Sequence, residues 1–107
     1  MKPIVDEIAK RLRDSLQENM EDFEGLYVFG SQVRGDATED SDVDIVVLLK
    51  QDYFFMPDAL SDIWSQMMYD YYDIIDIDLH TKTRQKLEMN PFFYDEVVNK
   101  GVFYGTT

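Results

Sequence analysis

Asp42 and Asp44 stand two residues apart, just before an apolar run, Ile45 to Leu49. In an extended strand, side chains two apart leave the same face, about 7 Å from each other along it. Asp42 and Asp44 then project side by side, and Val46 and Leu48 continue that face as apolar surface. Paired carboxylates beside hydrophobes repel each other and lose hydration, and both effects disfavour the charged form. A bound divalent cation removes both penalties. Magnesium suits the pair, since it takes hard oxygen ligands and commonly shares one or two carboxylates with substrate phosphates. Asp-x-Asp arises easily by chance among 22 acidic residues, so what precedes it decides. Phe29-Gly30-Ser31 ends a short apolar stretch, Leu26 to Phe29, bounded by Gly25 and Gly30. A glycine-containing turn at a strand end can present backbone N–H groups to a phosphate.

Neighbouring patterns are excluded by single residues. Gly30 and Gly35 have the spacing of a P-loop, but Asp36-Ala37 occupies the place of its Lys-Ser/Thr. A calcium-binding EF-hand loop counted from Asp36 puts Ser41 where glycine is required and Val47 where the closing glutamate belongs. Arg34-Gly35-Asp36 reads as an adhesion tripeptide only out of context. The Arg34 guanidinium has two readings: a contact to phosphate or acceptor, or an ion pair with Asp36, Asp40 or a metal-binding aspartate. His80 near a strand end reads as a solvated side chain, with assistance in proton transfer as the sharper alternative.

The elements that must position these residues follow from periodicity. Ile4, Ile8, Leu12, Leu16 and Met20 recur every fourth residue and predict an amphipathic helix over 3–21, with Pro3 in its first turn. A buried strand is expected at 26–29, then a polar connection over 31–38 opening with one helical turn. The second strand spans 42–49, with Val43, Ile45, Val47 and Leu49 inward. Asp58 reads as the cap of a helix to Tyr72, with Leu60, Ile63, Trp64, Met67 and Tyr71 inward. Ile74 to Thr81 reads as a third strand with Asp76, Asp78 and His80 on one face. A short helical or turn segment reaches Met89. Asn90-Pro91 then starts a helix that Gly101 ends, and Val102 to Tyr104 reads as a brief last strand. The order implies an α+β sandwich, a small mixed β-sheet with helices packed on it, as one domain over 1–107.

Composition bounds the partners. Ten basic residues against 22 acidic ones give a net charge of −12, which repels phosphate backbones and argues against a nucleic-acid clamp. An acidic protein binds nucleotides through divalent cations instead. The chain has no cysteine, which removes disulfides, thiolate metal sites and cysteine nucleophiles. Its apolar runs are too short to cross a membrane, and its acidic N-terminal stretch is unlike a signal peptide, so a cytoplasmic location is expected. The clusters Tyr53-Phe54-Phe55-Met56, Tyr69 with Tyr71-Tyr72, and Phe92-Phe93-Tyr94 read either as core with half-exposed rings or as a surface for a partner. Association with a second copy stays open.

Gly30-Ser31-Gln32-Val33-Arg34-Gly35 followed by Ser41-Asp42-Val43-Asp44-Ile45 resembles the signature of the polymerase-β-like nucleotidyltransferase superfamily. The small size and element order are similar to its minimal nucleotidyltransferase (MNT) branch, whose members pair with HEPN-domain proteins. The resemblance implies that fold and a third carboxylate on the neighbouring strand, Asp78 with Asp76 as the reserve. It implies two Mg²⁺ ions (Mn²⁺ being the alternative) on Asp42, Asp44 and Asp78, about 4 Å apart. Gly30, Ser31 and Arg34 are the implied nucleotide-binding residues. The implied reaction moves a nucleoside monophosphate, AMP from ATP, onto a hydroxyl, in an antitoxin that modifies its HEPN partner. The competing expectation is an inert antitoxin acting by binding and occlusion. A glycosyltransferase using Asp-x-Asp fits the length and the Gly-Ser turn less well.

Overall fold

The apolar residues spaced along the first helix all face one way, and in the computed structural model, which describes residues 1–107, they form the floor of the larger core. Helix α1 (Pro3–Asn19) starts on Pro3 and buries Val5, Ile8, Ala9, Leu12 and Leu16. Strand β1 (Phe23–Phe29) leads through Gly30 into one helical turn, α2 (Ser31–Arg34). Strand β2 (Val43–Leu49), helix α3 (Asp58–Asp70) and strand β3 (Ile77–Lys82) follow. Short helices α4 (Arg84–Glu88) and α5 (Pro91–Tyr94) come next, α5 running on as a π-helical turn over Asp95–Asn99 before β4 (Val102–Gly105).

The strands form one mixed sheet in the order β3-β2-β1-β4. The β1–β2 and β1–β4 pairs are antiparallel and β2–β3 is parallel, as the helical crossover through α3 requires. Leu26, Val28, Val43, Ile45, Val47, Leu49 and Ile77 pack with α1 and α3 on one face. Tyr27, Phe29, Val46 and Leu48 pack on the other with Leu87, Phe93, Tyr94, Val97 and Val98. The alternation expected for the second strand is therefore observed, with both faces covered along most of its length. The fold is α+β with helices on a small mixed sheet, as the sequence predicts.

Several elements depart from their expected bounds by one to three residues or change geometry. β1 begins at Phe23 rather than Leu26, because Gly25 takes part in the strand with φ +138° while the Phe103 ring lies where its Cβ would be. The helix start at 58 is set by Pro57 in the cap position, and Asp58 is its first helical residue, favourable there as an acid near the helix N-terminus. β3 begins at Ile77 rather than Ile74, since the N–H groups of Ile74 and Ile75 bond back to Tyr71 O and Asp73 turns left-handed at φ 64°. Ile74 is consequently exposed, whereas Ile75 still packs against the core. The helix expected over 91–100 is α-helical only for its first four residues. Its start is as read: the Asn90 side chain accepts from Phe93 N at 3.1 Å.

Candidate active site

The end of β1 and the starts of β2 and β3 meet at one margin of the sheet. Asp44 is paired in register with Phe29 on β1 and with Asp78 on β3. Residues paired in this way point to one face, so Asp44 and Asp78 stand side by side. Asp42, one residue before β2, joins them by the two-residue alternation. Register thus sets Asp78 beside Asp44, whereas Asp76 precedes β3 and its carbonyl accepts from Val43 N at 2.9 Å. Asp76 instead lines an acidic cavity of about 370 Å³ with Glu39, Asp40, Ser41 and Asp73, beside Tyr72, Ile74 and Ile75.

Asp44 is the half-buried member, while Asp42 and Asp78 are exposed. Burial pushes its carboxyl above the ordinary value near 3.8, and the charges of Asp78 and Asp42 push in the same direction. His80 opposes them weakly, and its Nε2 lies 3.2 Å from Asp78 Oδ2. The three carboxylates are hard oxygen donors, the ligand type that magnesium takes. As the side chains stand, no three acidic or histidine groups converge on one point able to hold an ion. Ligation would therefore draw Asp42 and Asp78 toward Asp44.

Gly30 shapes the opposite wall. Its backbone lies at φ 82° and ψ −154°, a region essentially restricted to glycine. A Cβ built there would overlap Asp44 Oδ2, so the carboxylate occupies space that only glycine leaves open. The carbonyl of Gly30 accepts from Val33 N and Arg34 N, and that of Ser31 from Gly35 N. The N–H groups of Ser31 and Gln32, first in the turn, have no acceptor within it. Gly35 closes the turn in the left-handed conformation at φ 87°.

In this structure Arg34 makes ion pairs, with one partner that sequence reasoning missed. It pairs with Asp36 at 3.4 Å and with Glu96 of the π-helical turn. Glu96 is 62 positions away, and only the packing of the last helix on the sheet could have found it. Also unforeseen is a cavity of about 240 Å³ next to the carboxylates, lined by His80, Lys82, Lys86, Asn90 and Phe93. Its signal is legible afterwards: residues 79–87 contain three of the chain's ten Lys and Arg side chains together with its one histidine, and no acidic residue. On the other side of β3, the Trp64 indole donates to Ile77 O at 3.3 Å, one residue from Asp78.

Comparison with known proteins agrees with this geometry. Residues 9–104 match the family model of the nucleotidyltransferase domain. No curated protein matches the sequence. A crystal structure of a toxin–antitoxin with AMP-PNP is similar with a TM-score of 0.63 and 23% identity, over 92% of this chain and 74% of that one. A Tyr-to-Ala variant of the toxin–antitoxin MntA-HpeT gives a TM-score of 0.58 at 25% identity, over 95% and 72%. A tri-AMPylated Shewanella oneidensis HEPN toxin in complex with MNT antitoxin gives 0.58 at 20% identity, over 99% and 74%. These likenesses are of fold, and no helix here is long and apolar enough to cross a membrane. With the family model spanning nearly the whole chain and enclosing both the Gly-Ser turn and the three aspartates, the chain belongs to the nucleotidyltransferase domain family.

Proposed function

We propose that this chain is a metal-dependent nucleotidyltransferase of the MNT antitoxin type, which transfers AMP from ATP to a hydroxyl group of a HEPN-domain partner. The observation that carries the reading is Asp44, half-buried between Asp42 and Asp78 and against Gly30, with its charge disfavoured until a cation arrives. Structural likeness to chains of toxin–antitoxin complexes, one with AMP-PNP and one with a tri-AMPylated HEPN toxin, supports the nucleotide and the partner.

Asp42 and Asp44 would hold both Mg²⁺ ions and Asp78 one of them. When bound, the ions would supply Lewis acidity at the α-phosphate and lower the proton affinity of the acceptor hydroxyl. Ser31 and the free N–H groups at the start of α2 hold the β- and γ-phosphates beside the carboxylates. Held in line there, the acceptor oxygen bonds to the α-phosphorus as the bond to the pyrophosphate oxygen breaks. Pyrophosphate leaves, and the hydroxyl proton departs to water on the exposed side of Asp78. Most of the rate gain comes from positioning and charge stabilisation. Asp78 lies exposed on β3, one of the two edge strands, so a macromolecular acceptor can approach it. The competing reading is occlusion without chemistry, and the exposed Phe54 and Phe55 suit a contact surface in either case.

Melting with Mg²⁺ and ATP, together and singly, tests the site. At about 100 times the dissociation constant the ligand stabilises by roughly 2.7 kcal/mol, a shift on the order of 10 °C. The shift is expected only with both present and only in wild type, not in Asp44→Asn. With a co-expressed HEPN partner, label from α-phosphate-labelled ATP should then move to the partner. Neutralisation of the partner that survives in Asp44→Asn would favour occlusion.

A further inference from the structure

Gln32, 3% exposed, is the only buried polar or charged side chain of the molecule, and it stands next to Ser31 in α2. Its amide nitrogen donates to Ser41 O at 3.1 Å and to Asp42 O at 3.5 Å. Neither carbonyl accepts from a backbone N–H. Asp42 lies outside the ladder that fixes Asp44 from both sides, since β2 begins only at Val43. The Gln32 amide is thus the hydrogen-bond donor that ties the backbone bearing the Asp42 carboxylate to the turn bearing Ser31.

The orientation of the amide is dictated, because turning its oxygen toward two carbonyls would set three acceptors against one another. That orientation leaves Gln32 Oε1 buried with no donor. A half-satisfied buried amide is a poor choice for stability alone, and its other half spans the two parts of the site.

We infer that Gln32 is a positioning residue for nucleotidyl transfer, holding the phosphate-binding turn and the Asp42 carboxylate at a fixed separation. The inference rests on the roles proposed above for Ser31 and Asp42. Gln32 acts through the Asp42 backbone, so its loss is felt first in cation affinity.

Gln32→Met keeps the length and bulk of the side chain and removes the donor. Tyr104→Phe, which loses a 2.7 Å bond to Asp6 on the other face of the sheet, is the destabilised control. Calorimetric titration of each folded protein with Mn²⁺ in the presence of ATP is expected to show at least a ten-fold weaker Mn²⁺ affinity in Gln32→Met and none of that loss in Tyr104→Phe. Equal affinity in Gln32→Met and wild type, or equal weakening in the control, overturns the inference. Should Gln32→Met fail to fold, the side-chain amide signal of Gln32 in wild-type NMR spectra decides. It is expected to exchange slowly with solvent and to shift when Mg²⁺ and ATP are added, and a fast-exchanging or unmoved signal overturns the inference. Wild type that binds neither Mn²⁺ nor ATP refutes the proposed function and the inference with it. Binding by wild type with an indifferent Gln32→Met refutes the inference alone.

Discussion

The Asp44 carboxylate occupies the space that a side chain at residue 30 would need, so each of the two residues limits the other. Gly30→Ala both strains the backbone at φ 82° and pushes the carboxylate aside. It should cost on the order of 1–3 kcal/mol of stability and abolish the thermal shift with Mg²⁺ and ATP, both read in one melting series. Asp44→Asn should do the opposite to the ligand-free protein, raising its Tm by about 2–6 °C while losing the ligand shift, as is usual where a site is kept at the expense of stability. The pH dependence has a fixed sign. Burial and its acidic neighbours raise the Asp44 pKa in the folded state, so the folded protein takes up that proton first as pH falls. The Tm advantage of Asp44→Asn is therefore fully present above the raised value and disappears as pH drops toward the ordinary 3.8. A Tm gap independent of pH would refute this account. At this scale the sequence is informative where a local pattern carries the chemistry: Asp42 and Asp44 are legible because side chains two apart share a face, and the Gly-Ser turn because glycine closes an apolar run. Gln32 is not, since a polar residue in a polar connection looks solvated until the chain folds over it.

Among the elements, the last helix carries the most that spacing alone conceals. Its start is written in Asn90 and Pro91, but the change to π-helical geometry over Asp95–Asn99 breaks the 3.6-residue rhythm. That change accompanies the fully buried placement of Val97 against Val46 and Leu48, and the pairing of Glu96 with Arg34. Val97→Ala should cost about 2 kcal/mol, a fall in Tm on the order of 10 °C, while the added stabilisation by Mg²⁺ and ATP remains. β3 gives the complementary case. Its apolar residues Ile77 and Leu79 are legible, whereas its start is not, because Tyr71 and Asp73 extend the end of α3 into a turn. The placement of Asp78 beside Asp44 depends on the parallel register with β2, a pairing between segments more than 30 residues apart, whereas the sequence preferred Asp78 to Asp76 only through the family resemblance.

For the whole molecule, a charge of −12 spread over one small domain is self-repulsive. Raising monovalent salt should increase the Tm of wild type and of Asp44→Asn alike, since screening acts on every exposed charge. Millimolar Mg²⁺ with ATP at matched ionic strength should add a further increase in wild type only. An equal increase in both proteins would mean that the ion merely screens.

The protein contains a single tryptophan, and its indole is bonded to the carbonyl next to Asp78. Tryptophan emission, excited selectively over that of the seven tyrosines, therefore comes with a built-in address, immediately behind the carboxylate at one edge of the sheet. A movement of Asp78 toward Asp44 on ligation would alter the polarity and hydrogen bonding felt by Trp64. Stopped-flow fluorescence, without any attached dye, can then time the assembly of the site, and the emission of Asp78→Asn should stay constant under the same mixing.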